Sequence, residues 1–173
     1  RDLVRSRGLG DVYKRQDPLC QKLKECLLEQ FRILHDEKFV RTFFVGGTLG
    51  VDMWAGEQLL TLRAQTGYED IKIVVVVPFI GYDSKWPDQS RHRLKKLIQN
   101  ANDSIVISHS ADVSSYKKRN YYMVDHAEYL IGVFDNQKKL RSGTAQTVNY
   151  ALHQGKVITL IHPDTMEITA PAP

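Results

Sequence analysis

Residues 71–77 read Ile-Lys-Ile-Val-Val-Val-Val, and this run constrains the fold more than any other stretch of the chain. Six of its seven residues are β-branched and aliphatic, with no alternation that would leave one face to solvent. Such a run reads as a strand covered on both faces, the condition met in parallel sheets flanked by helices. Pro78 is expected to end it. Upstream, Asp17 supplies a cap and Pro18 the first position of a helix that extends to about residue 37, with Leu19, Leu23, Leu27, Phe31 and Leu34 as its apolar stripe. A short strand follows at 42–45, then a helix with Val51, Ala55, Leu59 and Leu62 on its inner face. Beyond residue 77 the pattern predicts a helix at 88–100, a strand at 104–108 and a helix at 115–126. A strand at 129–134, a helix at 144–154, a strand at 157–161 and a flexible Pro/Ala-rich tail from 164 complete the order. This alternation predicts one Rossmann-like α/β domain, three layers deep (α/β/α), around a mainly parallel sheet.

Such sheets bind ligands at the carboxyl ends of their strands, and two loops there have the composition for it. In Phe43-Phe44-Val45-Gly46-Gly47-Thr48-Leu49-Gly50-Val51-Asp52 a strand breaks into small residues and restarts as a helix. Free backbone N–H groups at a helix start, together with the helix dipole, hold a phosphate without any basic side chain. Two glycines in such a place also make a plain turn. The second loop, Arg141-Ser142-Gly143-Thr144-Ala145, repeats the design after the strand at 129–134.

The net charge of +4 looks like a nucleic-acid signal until its distribution is considered. Residues 1–16 show neither helical nor strand period, resemble translated sequencing adapter, and are set aside as non-native or disordered. They contain five basic and two acidic side chains, so the remaining chain has 19 basic and 18 acidic residues and is close to neutral. A nucleic-acid partner is therefore disfavoured. The expectation is a protein of the cytoplasm with no membrane association, homo-oligomerisation being open: no apolar run is long enough to span a bilayer and no secretory pattern opens the chain. Cys20 and Cys26 lie about 9 Å apart along one helix, too far for a disulfide, and are read as reduced, with Cys20 at most half buried. The six histidines show no ligand spacing, so no metal site is expected.

Four blocks carry a family resemblance: GGTLGVDMWAGE (46–57), PFIGYDSKW (78–86), KKRNYYMVDHAEYLIGVFD (117–135) and SGTAQTVNYALHQGK (142–156). In this order they resemble the DUF1273, YpsA/YoqJ-like branch of the SLOG superfamily. The resemblance implies a Rossmann-like sheet and a nucleotide-derived ligand; it also implies a strand ahead of the first helix, which this chain is expected to lack. Relatives in the superfamily include LOG-type phosphoribohydrolases and DprA-type DNA-processing proteins. The LOG-type enzymes carry Gly-Thr-x-x-Glu, whereas this chain reads Gly143-Thr144-Ala145-Gln146-Thr147. A hydroxyl cannot exchange a proton near neutral pH as a carboxylate does.

The resulting expectation is a protein that binds or senses a nucleotide-derived ligand such as ADP-ribose, NAD or a nucleoside monophosphate, in a regulatory role. Gly46, Gly47 and Thr48 are the first candidates for phosphate contact, followed by Ser142, Gly143 and Thr144. Asp52 is a candidate for ribose, although an acidic residue in a helix's first turn is favoured by the dipole in any case. Lys85 and Trp86 follow the strongest strand, and Arg119 and Asn120 match the family's Arg-Asn step. Tyr121 and Tyr122 are possible stacking partners, at least one being expected in the core, while Trp54 is read as core. Two alternatives stay open. One is N-glycosidic hydrolysis of a nucleotide with Glu57 as acid/base; the other is DprA-like binding of single-stranded DNA.

Overall fold

The structure, a computed structural model, describes residues 18–134 and 143–171. The elements run α1 (Pro18–Lys38), β1 (Thr42–Val45), α2 (Val51–Arg63), β2 (Lys72–Phe79), α3 (Asp88–Asn100), β3 (Asp103–Ser108), α4 (Ser114–Asp125), β4 (Tyr129–Val133), α5 (Gly143–His153), β5 (Val157–Ile161) and β6 (Ile168–Thr169). Strands β1, β2 and β3 form one sheet in that order, parallel throughout. Strands β4, β5 and β6 form a second, with β4 and β5 parallel and β6 antiparallel to β5. The fold is Rossmann-like α/β.

Four local readings need correction. Strand β2 continues through Pro78 to Phe79. Its pairing with β1 ends at Val45 opposite Val75, so among the described residues β3 is its one strand neighbour at Pro78 and the missing N–H interrupts no ladder with β1. The stripe of α1 is Cys20, Leu23, Leu27, Phe31 and His35, whereas Leu19 is 41% exposed. Cys20 is accordingly buried, not half open, because the helix turns its 3–4 spacing from Leu23 back onto residue 20. Both cysteines are free thiols. Residues 168–169, placed in a flexible tail by composition, instead pair with Leu160 and Ile161. Finally, Tyr121 and Tyr122 are both half-buried: Tyr121 stacks on Tyr150 and Tyr122 on His126, each at 3.9 Å between centroids. The expectations for residues 1–16, and for Arg141 and Ser142, lie outside the described residues.

The core explains why the sequence reads as three layers. On one face of the strands, α1 and α2 bury Leu27, Phe31, Met53, Trp54 and Leu59 against Phe43, Val45, Ile73 and Val75. The same cluster takes in Ile131, Val133 and Ile161, so both sheets share it. On the other face Val124 of α4 and Val148 and Ala151 of α5 close over Ile158 and Leu160. With β1, β2 and β3 parallel, the loops at 46–50 and 80–87 leave the carboxyl ends of β1 and β2, where an open α/β sheet builds its ligand crevice.

Candidate functional site

The loop after β1 turns on Gly47, whose φ of +70° is a backbone state that side-chain-bearing residues resist. A Cβ there would also lie 2.9 Å from the Tyr82 hydroxyl and 3.1 Å from Val75. Gly46 is required for a second reason, close approach. A Cβ on it would sit 2.6 Å from Asp52 Oδ2 and 2.7 Å from an Arg119 guanidinium nitrogen. The chain thus closes over a buried acid and a buried base.

Asp52 and Arg119 are both 0% exposed. The Thr48 hydroxyl donates to Asp52 across one turn at the start of α2. From α4, Arg119 donates to the Gly46 carbonyl oxygen and, through Nε at 2.8 Å, to Asn120 Oδ1. Burial lowers the proton affinity of the Arg119 guanidinium, and the Asp52 charge works against that shift. A charge at this depth needs a compensating partner, since an isolated ion in the interior costs several kcal/mol. Tyr82, from the loop after β2, donates its hydroxyl to the Gly47 carbonyl at 2.5 Å. Burial drives its phenol far above the usual range, so it acts as a neutral donor. The rings of Trp86 and Phe79 meet Tyr82 edge-on, at 5.4 and 6.4 Å, and Tyr116 meets Phe79 at 5.9 Å while lying 6.0 Å from Arg119.

Six candidates, Gly46, Gly47, Thr48, Asp52, Arg119 and Asn120, therefore share one contact network, and Trp86 joins it through Tyr82. Tyr82 and Tyr116 were not singled out from the sequence. Tyr82's place just beyond the strongest strand was the available signal; Tyr116 offered none. Glu57 points elsewhere. Its carboxylate receives both Nε and Nη2 of Arg93, at 3.0 and 2.5 Å, across the α2–α3 contact. Lys85 is exposed. Gly143 and Thr144 open α5 beyond β4, with Thr144 buried, and the Thr147 hydroxyl donates at 2.8 Å to the Gly143 carbonyl within the same helix. Ser142 lies outside the described residues. Among the described residues no group of three His, Cys, Asp or Glu side chains could hold a metal ion, and no helix is long and apolar enough to cross a membrane.

In chemical terms, the loop offers an anion the amide-rich start of α2. The paired charges of Asp52 and Arg119 leave the floor near neutrality.

Comparison with known proteins agrees with this architecture. The model of the YspA SLOG family matches residues 5–166. That match begins inside the segment set aside on composition. The SPbeta prophage-derived protein YoqJ of Bacillus subtilis is 30% identical over 166 residues, covering 86% of this chain and 92% of YoqJ. A UPF0398 protein of Staphylococcus epidermidis is 27% identical over 131 residues, 75% of this chain and 68% of the relative. The UPF0398 protein YpsA of Bacillus subtilis is 23% identical over 141 residues, 78% and 77% of the two chains. By the extent of the family match and the similarity to YoqJ, the chain belongs to the YspA SLOG family.

Proposed function

We propose that the protein binds a nucleotide-derived ligand, of the class of ADP-ribose, NAD or a nucleoside monophosphate, with a phosphate against Gly46-Gly47-Thr48, and that binding serves regulation. Membership of the SLOG family supports a nucleotide-related role in general. The observation that carries the finer reading is the loop itself: a positive-φ glycine at the end of a parallel strand, directly ahead of the helix α2, buttressed from below by Arg119, Asn120 and Tyr82. Since Arg119 and Asp52 offset each other, attraction for the phosphate is left to the loop amides and the α2 dipole. Ligand binding ranks above hydrolysis because Glu57, the acid/base of the enzymatic alternative, has both carboxylate oxygens engaged by Arg93.

The test is thermal unfolding in the presence of a nucleotide panel. At 100 times the dissociation constant a ligand stabilises the fold by about 2.7 kcal/mol, a rise of several degrees at roughly 2–4 °C per kcal/mol. Gly47→Val should remove that rise, measured against its own unliganded melting point, whereas Lys85→Ala should reduce it at most modestly. A panel that leaves the wild type unmoved, or a Gly47→Val protein that responds as the wild type does, refutes the assignment.

A further inference from the structure

Strand β3 pairs with β2 on one side, and among the described residues no strand pairs with its other side. A strand with one open side is a template for another chain, and folds commonly blunt it with proline or lysine. Neither occurs between residues 103 and 109. The centre of the strand is aliphatic without being fully buried: Val106 is 38% exposed, and Ile105 and Ile107 are half-buried.

The register shows which backbone groups face outwards. The Lys72 N–H donates to the Arg41 carbonyl at 2.7 Å, so by the period of two Lys72 and Val74 turn their amides and carbonyls to the β1 side. Asp103 stands opposite Val74, and in a parallel pair it then bonds to the residues on either side of Val74, Ile73 and Val75. Asp103, Ile105 and Ile107 thus face β2, while Ser104, Val106 and Ser108 face the open side. The Ser104 N–H bears this out. It is met by its own neighbour, donating to Asp103 Oδ1 at 2.8 Å.

Residues 103–109 read Asp-Ser-Ile-Val-Ile-Ser-His. From Ser104 to Ser108 the order is the same in both directions, and the flanking residues are an acid and a base. Set antiparallel to a second copy about a twofold axis at Val106, Ile105 lies opposite Ile107, Ser104 opposite Ser108 and Asp103 opposite His109. The ladder geometry accepts this register. Val106 meets Val106, and Ser104 meets Ser108, as outward-facing, hydrogen-bonded pairs; the isoleucines and the Asp103–His109 pairs take the closer non-hydrogen-bonded positions. A shift of one residue sets outward-facing against inward-facing groups. An in-register parallel pair sets Asp103 beside Asp103, a like-charge contact.

We propose that the open edge of β3 is a self-recognition surface: a second copy of this chain adds to it antiparallel about Val106 and joins the two β1-β2-β3 sheets into one. Main-chain hydrogen bonds supply the affinity of such strand addition, and the palindromic order with its Asp103–His109 ends supplies the selectivity. The interface is isologous, so it closes at the dimer. A strand edge this short buries little area, which makes the dimer weak and reversible on dilution. It does not draw on the Gly46–Thr48 loop and is independent of nucleotide binding.

The test is sedimentation velocity of the full chain, diluted stepwise from millimolar to micromolar, with amide exchange followed at both ends of the range. Monomer should pass into dimer as concentration rises, with exchange at Val106 and Ser108 slowing about tenfold and that at Ile105 and Ile107 unchanged. Asp103→Lys sets a cation opposite His109, and His109→Glu sets an acid opposite Asp103. Each alters two symmetry-related contacts and should weaken the dimer about tenfold. The double variant should restore it, which a variant that merely misfolds cannot do. A monomer at every concentration, a dimer with unchanged exchange at Val106 and Ser108, or a double variant weaker than either single one overturns the proposal. Slow exchange at Val106 and Ser108 that persists in the dilute monomer would assign the edge to the chain's own residues, and overturns it as well.

Discussion

Arg119 carries its charge at 0% exposure, and the fold accommodates it through Asp52, the Gly46 carbonyl and Asn120. Removing one member of a buried ion pair costs about 3–5 kcal/mol because the other is left without compensation. Arg119→Met should therefore destabilise the protein by roughly that amount in urea unfolding. Asp52→Leu should do the same, and the double variant should lose clearly less than the two single losses together. Additive losses would show that the two charges do not stabilise one another. The same residues explain what could be read in advance. Gly46, Gly47, Thr48 and Asp52 are contiguous, so their grouping is a matter of local chain geometry. Arg119 is 73 residues from Gly46, and the sequence offered its Arg-Asn step without its partner. Glu57 reads along the chain as a polar residue on a packed helix; only the approach of α3 supplied Arg93.

At the scale of an element, α1 shows how a helix with one apolar stripe ends in an electrostatic lock. His35 is buried in the last turns, and its ring nitrogens lie 2.9 Å from Asp36 and 2.8 Å from Asp70. Arg41 pairs with the same Asp70 at 2.7 Å, and Tyr68 packs 4.7 Å from the imidazole while its hydroxyl donates to Asp36. Burial of the ring disfavours its charge, but the two carboxylate hydrogen bonds outweigh it and raise the His35 pKa. The imidazolium, with two N–H donors, satisfies both acceptors, which the neutral ring cannot do. The folded pKa being above the unfolded value, this contribution is complete below about pH 6.5 and is lost as pH rises through the folded pKa. Asp36 and Asp70 are shifted down, chiefly by their bonds to His35, so their contribution exists above about pH 4 and is lost as pH falls through their folded pKa values. Stability measured by urea unfolding should thus fall as pH rises above about 6.5 in the wild type, and His35→Gln should flatten that slope. A parallel pair of profiles would remove the histidine from the account. On the same buried stripe of α1, Leu27, fully buried, provides a packing test: Leu27→Ala should cost about 2–5 kcal/mol.

For the whole molecule, the question is whether two sheets joined by no ladder among the described residues behave as one body. Ile131, Val133 and Ile161 of the second sheet lie in the cluster that holds Trp54, Leu59 and Val75, so both sheets are committed to one core. A shared core predicts a single cooperative transition. In a Trp86→Phe protein, where Trp54 is the remaining indole, urea transitions followed by fluorescence and by far-ultraviolet dichroism should coincide. Separate midpoints would show two independently unfolding halves. The sequence by itself determined the alternation of strand and helix, the parallel winding and the position of the glycine loop. Each rests on local periodicity or on a neighbour's backbone angles, which a linear chain displays. Tertiary structure alone decided that β2 could run through Pro78, since that depends on where β1 ends, and that Ile168–Thr169 would join a sheet, since that depends on the free edge of β5. It also decided that Arg119 would lie beneath Gly46 and that Glu57 would face Arg93. Pairings of this kind are contacts between residues distant in sequence, and no period along the chain encodes them.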